Sequence, residues 1–289
     1  MTNLALPIAP VAPQLIEEMS NADYHASPAF SSSQIKDMLR SPAHFFANHL
    51  DPQRGEKSPP TKEMQLGTLL HTMLLEPHKV AAEYAVGEKF DRRTKQGKAD
   101  AEAFEQANLG KIIVDKDDFH HATHMSQSLQ AHPWIAEVMA TNYCQIENSI
   151  FFADTETGVS VRVRPDLHIA PCTKFPNGLI IDVKSTDDAR PSAFSRTCGN
   201  YRYDLSASMY RLGLQAYYRT DSLPDFYFAV VERNAPYNCL IFKASDDMLM
   251  IGEAAYRSAL EQIAECLALG EWDGYSTDVT DIYLPKYIA

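Results

Sequence analysis

Apolar positions change period near residue 140, which divides the chain into a helical half and a sheet-bearing half. In the first half they recur at steps of three and four. Ile35, Met38 and Leu39 share a face behind the candidate caps Ser31, Ser32 and Ser33, and Ser41-Pro42 ends that helix. DPQRGEKSPPTKE is a polar, proline-rich link. MQLGTLLHTMLLE predicts a second helix stopped by Pro77, Phe90 to Gly110 a mobile loop leading into a helix, and Asp115 to Met139 another helix. Alternation then takes over. CQIENSIFFAD and VSVRVRPDLHIA flank the turn TETG, with Val159, Val161 and Val163 opposed to Ser160, Arg162 and Arg164, which predicts one long hairpin. LIIDVKST predicts a third strand, and FYFAVVE and NCLIFKA a second hairpin around RNAPYN. YRYDLSASMYRLGLQAYYRT predicts a single helix and residues 245–269 a long closing one, before an aromatic tail of Trp272, Tyr275, Tyr283 and Tyr287.

The expected fold class is α/β (α+β): a mixed β-sheet flanked by helices, with a helical N-terminal part over 21–140 and a sheet core over 141–289. Residues 1–20 lack the charged start of a secretory signal and read as a flexible, proline-bearing arm. No run of eighteen apolar residues exists, so no membrane-spanning helix is expected. Cysteines at 144, 172, 198, 239 and 266 contain no CxxC, which fits reduced thiols in a cytoplasm and argues against a disulfide framework, a zinc ribbon or an iron–sulfur cluster. The net charge of −12 opposes nucleic acid, but it is uneven. Residues 160–220 hold nine Lys/Arg against five acids, a local +4 that leaves −16 for the remainder.

That basic stretch contains Arg164-Pro165-Asp166 and, after a loop, Ile181-Asp182-Val183-Lys184. Strand alternation puts Asp182 and Lys184 on one face and Val183 on the other. A second carboxylate, Asp166, at the same end of the sheet would repel Asp182, and a divalent cation offsets such repulsion; oxygen donors suit magnesium or manganese. The plainer reading is an Asp–Lys ion pair on a strand face. Likewise His71, inside an apolar helix with Leu69, Leu70, Met73 and Leu74, ordinarily reads as a satisfied core histidine.

Pro165-Asp166 with Asp182-Val183-Lys184 resembles the PD-(D/E)XK nuclease signature. Tyr24-His25, SSSQIKDMLRSPAHF, GTLLHTMLLEP, RRTKQGK, QIENSIFF and GNYRYDL, in that order from Asn21 to Ala289, resemble RecE (exonuclease VIII)-type phage-derived exonucleases. The resemblance implies a single exonuclease domain over 21–289 with a restriction-endonuclease-like core. It implies Mg2+ (or Mn2+) held by His71, Asp166, Asp182 and the Val183 carbonyl, with Lys184 catalytic. Glu147 matches a glutamate common in such strands, although a solvated strand residue reads as well. On the helix after the lysine strand relatives carry Gln-x-x-x-Tyr; here Tyr210 is present but Ser206 replaces the glutamine, and its shorter side chain reaches a cation-bound water only through another water. Arg92, Arg93, Lys95 and Lys98 are expected on DNA phosphates, with Arg162, Arg164, Arg190, Arg196 and Arg202 lining the approach. The expected activity is degradation of one strand of linear double-stranded DNA, 5′ to 3′, in a bacterial cell hosting a phage or prophage. Expected partners are DNA ends, a RecT-like single-strand annealing protein and further copies in a ring, a tetramer or trimer. A nuclease-weak DNA-end-binding protein and an endonuclease of the same superfamily are the alternatives.

Overall fold

The structure, a computed structural model, describes residues 12–55, 58–87 and 90–283. The chain opens with β1 (Gln14–Ile16), α1 (Asn21–Ala26), α2 (Ser32–Met38), α3 (Pro42–Phe45), α4 (Lys62–Leu75) and α5 (Val80–Glu83). β2 (Tyr84–Gly87), α6 (Lys95–Ala107), β3 (Ile112–Asp115), α7 (Lys116–Ala131) and α8 (Pro133–Met139) follow. Then come β4 (Cys144–Ile146), β5 (Ser149–Ala153), β6 (Ser160–Val163), β7 (Leu167–Ile169) and β8 (Leu179–Thr186). α9 (Pro191–Tyr201), α10 (Tyr203–Tyr218), β9 (Asp225–Glu232), β10 (Cys239–Lys243) and α11 (Asp246–Leu269) complete it.

The main sheet has the order β10-β9-β8-β7-β4, with β8 and β9 parallel and the other neighbours antiparallel. Alternation along β8 decides what each face meets. Leu179, Ile181 and Val183 pack with Leu69 and Leu70 of α4, Met125 and Leu129 of α7 and Val138 of α8. Ile180 joins Phe226, Phe228 and Val230 against Ile35, Leu205, Met209 and Leu260 from α2, α10 and α11. Helices therefore cover both faces of a mixed sheet, as expected. Helix starts follow local chemistry: Thr61 accepts the Met64 N–H at 3.3 Å to begin α4, and Ser245 accepts that of Met248 at 3.2 Å to begin α11.

Three expectations need correction. Part of the segment read as an arm, Gln14–Ile16, pairs antiparallel with β5 from Phe151 to Ser149; residues 1–11, like Tyr287, lie outside the described residues. The helix expected over 115–139 is two, because Pro133 offers no N–H and restarts the chain as the first residue of α8. The helix expected over 201–220 forms as α10; α9 before it was not anticipated, and Arg202 at φ 50° parts the two. The long hairpin is broken in its middle: β5 and β6 pair in a small sheet of order β1-β5-β6, while β4 and β7 join the main sheet. The parallel pair β2–β3 was not anticipated.

One core residue gives the fold a definite pH dependence. His168, in β7, is fully buried; its Nε2 lies 3.0 Å from the Tyr218 hydroxyl and its Nδ1 has no hydrogen-bond partner among the described residues. Burial disfavours the imidazolium and holds its pKa down to about 4. The unfolded chain takes up this proton below about 6.5, whereas the folded chain waits until about 4. Stability from this group is thus fully present above pH 6.5 and is lost, by on the order of 3 kcal/mol, as pH falls toward 4. Urea unfolding at pH 7.5 and 4.5 should show His168→Gln losing less stability on acidification than the wild type. Equal losses would contradict this.

Candidate metal centre

The break in the hairpin builds the site. On one strand the chain changes sheet at Glu147-Asn148, with Glu147 in the left-handed region at φ 50°; on the other it changes at Arg164-Pro165-Asp166. The two crossings are tied by the Glu147 N–H, which donates to the Asp166 carbonyl at 3.2 Å. Pairing between β7 and β8 stops at Leu167–Ile181, so the backbone of Val183 is left without a strand partner on the β7 side, while β9 runs alongside it at Ala229. Side chains take over. The Val183 N–H donates to Asp166 Oδ2 at 2.5 Å, and the Val183 carbonyl accepts from His71 Nε2 at 3.1 Å. His71 arrives from α4, which packs on this face of the sheet.

His71 Nδ1 lies 3.4 Å from Asp166 Oδ1 and 3.8 Å from Glu147 Oε1. One donor atom from each of His71, Glu147 and Asp166 falls within 4.8 Å of the others. Burial disfavours a charged imidazole, but Asp166 and then Glu147 outweigh it and raise His71 to about 10. Burial also pushes Asp166 upward, yet the facing His71 holds it below the usual carboxylate range. Glu147 and Asp182, both desolvated, stand above that range. Two desolvated carboxylates beside an imidazole nitrogen form an oxygen-rich donor set that suits magnesium or manganese, so His71, Glu147 and Asp166 fit a divalent cation.

The structure brings His71, Asp166 and the Val183 carbonyl together, and Glu147 joins them. Asp182 meets Lys184 Nζ at 2.5 Å, because residues two apart share a strand face. The same ammonium lies 3.3 Å from the Val183 carbonyl and 5.2 Å from the centre of the Tyr203 ring. Burial opposes its charge, but Asp182 and Asp166 outweigh burial and keep Lys184 protonated.

A family model described as a PDDEXK-like domain of unknown function (DUF3799) matches residues 31–282. The chain belongs to this family. Among solved structures it is similar to a "Putative exonuclease" from Eubacterium rectale, at 12% identity and a TM-score of 0.58, covering 93% of this chain and 96% of that one. SSO0001 matches more weakly, at 11% identity and a TM-score of 0.31, over 72% of this chain and 87% of that one. No curated protein matches.

In this PDDEXK-like chain the cluster opens into a cleft of about 2060 Å³, whose wall includes Lys184, Arg164, Arg196, Arg233, Tyr201 and Tyr203. Arg162 is a correction. It is 2% exposed and donates to the carbonyls of Ser27 and Ala29 and to Gln34 Oε1, with Tyr24 packed 4.9 Å away, so it cannot reach a phosphate. Arg164 borders the cleft but is anchored, donating to Ser149 Oγ, Asn21 Oδ1 and the Met19 carbonyl. Arg196 is exposed on the wall; Arg190 is exposed against Asp188, and Arg202 pairs with Asp204. Arg92 and Arg93 pair with Glu105 and Asp91. With Lys95 and Lys98 they are exposed at the start of α6, and these four are not among the described residues of the cleft wall.

Tyr210 on α10 is raised well above its ordinary pKa by burial, with Tyr24, Asp182, Asp166 and Glu147 adding to the shift. Ser206 is half-buried one turn earlier. Sequence reasoning missed Lys36. Its ammonium lies 5.6 Å from the Tyr203 ring that also faces Lys184, and burial with Lys184 lowers its pKa to about 8. Its only prior signal was its place inside SSSQIKDML, on a helix assigned to the core.

Proposed function

We propose that this chain is a Mg2+- or Mn2+-dependent deoxyribonuclease of RecE-like type that degrades one strand of linear duplex DNA from an end, 5′ to 3′, leaving 3′ single strands. The observation that carries the reading is the meeting of His71, Glu147, Asp166 and the Val183 carbonyl beside the Asp182–Lys184 pair, in a cleft open to a large substrate. Family membership supports phosphodiester hydrolysis, and the description of the Eubacterium rectale neighbour supports an exonuclease.

His71, Glu147, Asp166 and the Val183 carbonyl would hold the cation. When bound it supplies Lewis-acid polarisation of a phosphoryl oxygen and a lowered pKa for a water. Lys184 sets a fixed positive charge beside the phosphate, where negative charge grows during attack, and Asp182 pins that ammonium in place. Arg164 and Arg196 add positive charge along the cleft wall, in a chain whose net charge of −12 otherwise repels DNA. A RecT-like annealing protein would receive the 3′ strand, and a ring of copies would keep the enzyme on its substrate.

The test uses blunt linear duplex and covalently closed circles with Mg2+. The linear form should release nucleotides, the circle should stay intact, and Lys184→Ala and Asp182→Ala should each be inactive. Cleavage of the circle would favour an endonuclease. Undiminished cleavage by both variants would remove the site from the chemistry.

A further inference from the structure

Tyr201 and Tyr203 are two residues apart, and in an unbroken helix their side chains would point about 160° apart, to nearly opposite sides. Here their rings stack, with centroids 5.7 Å apart and planes 20° from parallel. The break that allows this is Arg202, a non-glycine residue held at φ 50°, with its guanidinium fixed on both carboxylate oxygens of Asp204. Such a backbone conformation costs on the order of 1 kcal/mol or more, and strain of this kind gathers at working sites.

The stack has a dry end and a wet end. Tyr203 rests on Phe228 at 6.0 Å, and Lys184 Nζ stands 5.2 Å from its ring. Tyr201 is 64% exposed on the cleft wall, and among the described residues Tyr203 is the one aromatic ring it contacts. A large aromatic surface is therefore held rigid, open to solvent and anchored beside the ammonium expected to face the phosphate.

We infer that the outer face of Tyr201 is a stacking platform for an unpaired nucleobase next to the phosphate that meets Lys184. This rests on the nuclease reading and adds to it: a base inside a duplex already has neighbours on both faces, so the strand must leave the duplex before reaching the cation cluster. Ring stacking tolerates any base, which suits an enzyme that degrades without regard to sequence.

The test is a binding cycle by fluorescence anisotropy in EDTA, with a single-stranded oligonucleotide and a set in which an abasic nucleotide replaces each position in turn. In the wild type one position should matter, its abasic form binding about tenfold more weakly, the size expected for one base–aromatic stack. Tyr201→Ala should bind the intact oligonucleotide about tenfold more weakly and show no further loss at that position. Tyr201→Trp should restore both. An undiminished abasic penalty in Tyr201→Ala, or wild-type affinity throughout, overturns the platform while leaving linear-duplex cleavage by the wild type as support for the nuclease reading. A wild type that neither binds nor cleaves DNA sinks both.

Discussion

On the proposed nuclease reading, Mn2+ or Mg2+ should raise the melting temperature of the wild type, and replacing Asp166 with alanine should remove both that shift and the cleavage of DNA. Its carboxylate does two jobs, accepting the Val183 N–H with Oδ2 and facing His71 Nδ1 with Oδ1. Without it His71 loses the principal cause of its raised pKa, and the cation loses a carboxylate from the middle of its donor set. For the wild type at a cation concentration one hundred times the dissociation constant, binding to the folded state alone adds about 2.7 kcal/mol of stability, which a melting scan detects readily. Asp166→Ala should show no such shift and lose at least roughly three orders of magnitude in rate, the equivalent of about 4 kcal/mol of transition-state stabilisation. The same cation-dependent shift in the variant and the wild type would mean that the ion binds elsewhere. His71→Ala should follow Asp166→Ala in both measurements, because the two side chains face each other across the cluster.

Arg162→Met should destabilise the fold by about 2–4 kcal/mol without changing how DNA binding responds to salt. The guanidinium is buried, its two Nη groups donating to two main-chain carbonyls and to Gln34, the residue whose Oε1 also accepts the Ser31 N–H at the start of α2, while its Nε has no partner among the described residues. Methionine fills some of the volume but leaves those acceptors unpaired in a protein interior. A phosphate contact behaves in the opposite way: its loss leaves stability alone and lowers the salt slope of binding by about one ion. Urea unfolding together with a salt titration separates the two. A variant as stable as the wild type with a reduced slope would return Arg162 to the DNA surface.

Arg162 also shows why part of the site was legible and part was not. Alternation along Val159–Arg164 locates the strand and its apolar side, because period two is a local property. It cannot say what covers the polar side. Here Phe30 pairs along the edge of β6, its N–H donating to the Ser160 carbonyl at 2.9 Å and its carbonyl accepting from the Arg162 N–H at 2.9 Å, while Tyr24 and Ala29 pack over Arg162 and Phe151 and bury the polar side. Asp182 and Lys184 were legible for the same local reason, and their pairing is a near-neighbour event. The hairpin break was not legible, since the left-handed turn falls on a glutamate with no glycine to announce it. Arg202 hides its turn in the same way, three residues after a glycine that stays helical. Glu147 joins the cation cluster because of that hidden break, and this is why the resemblance to known nucleases, rather than the pattern of the strand, pointed toward it.

On the proposed reading, the Val183 carbonyl would lend the cluster a donor that a side-chain substitution at position 183 does not delete. Selection there can act only on the side chain behind it, which fills the opposite core with Ile181 and Leu69. Isoleucine or leucine at 183 should therefore be tolerated by chemistry and judged by packing alone. On that reading one residue would answer to two separate pressures, its main chain to the proposed reaction and its side chain to the fold.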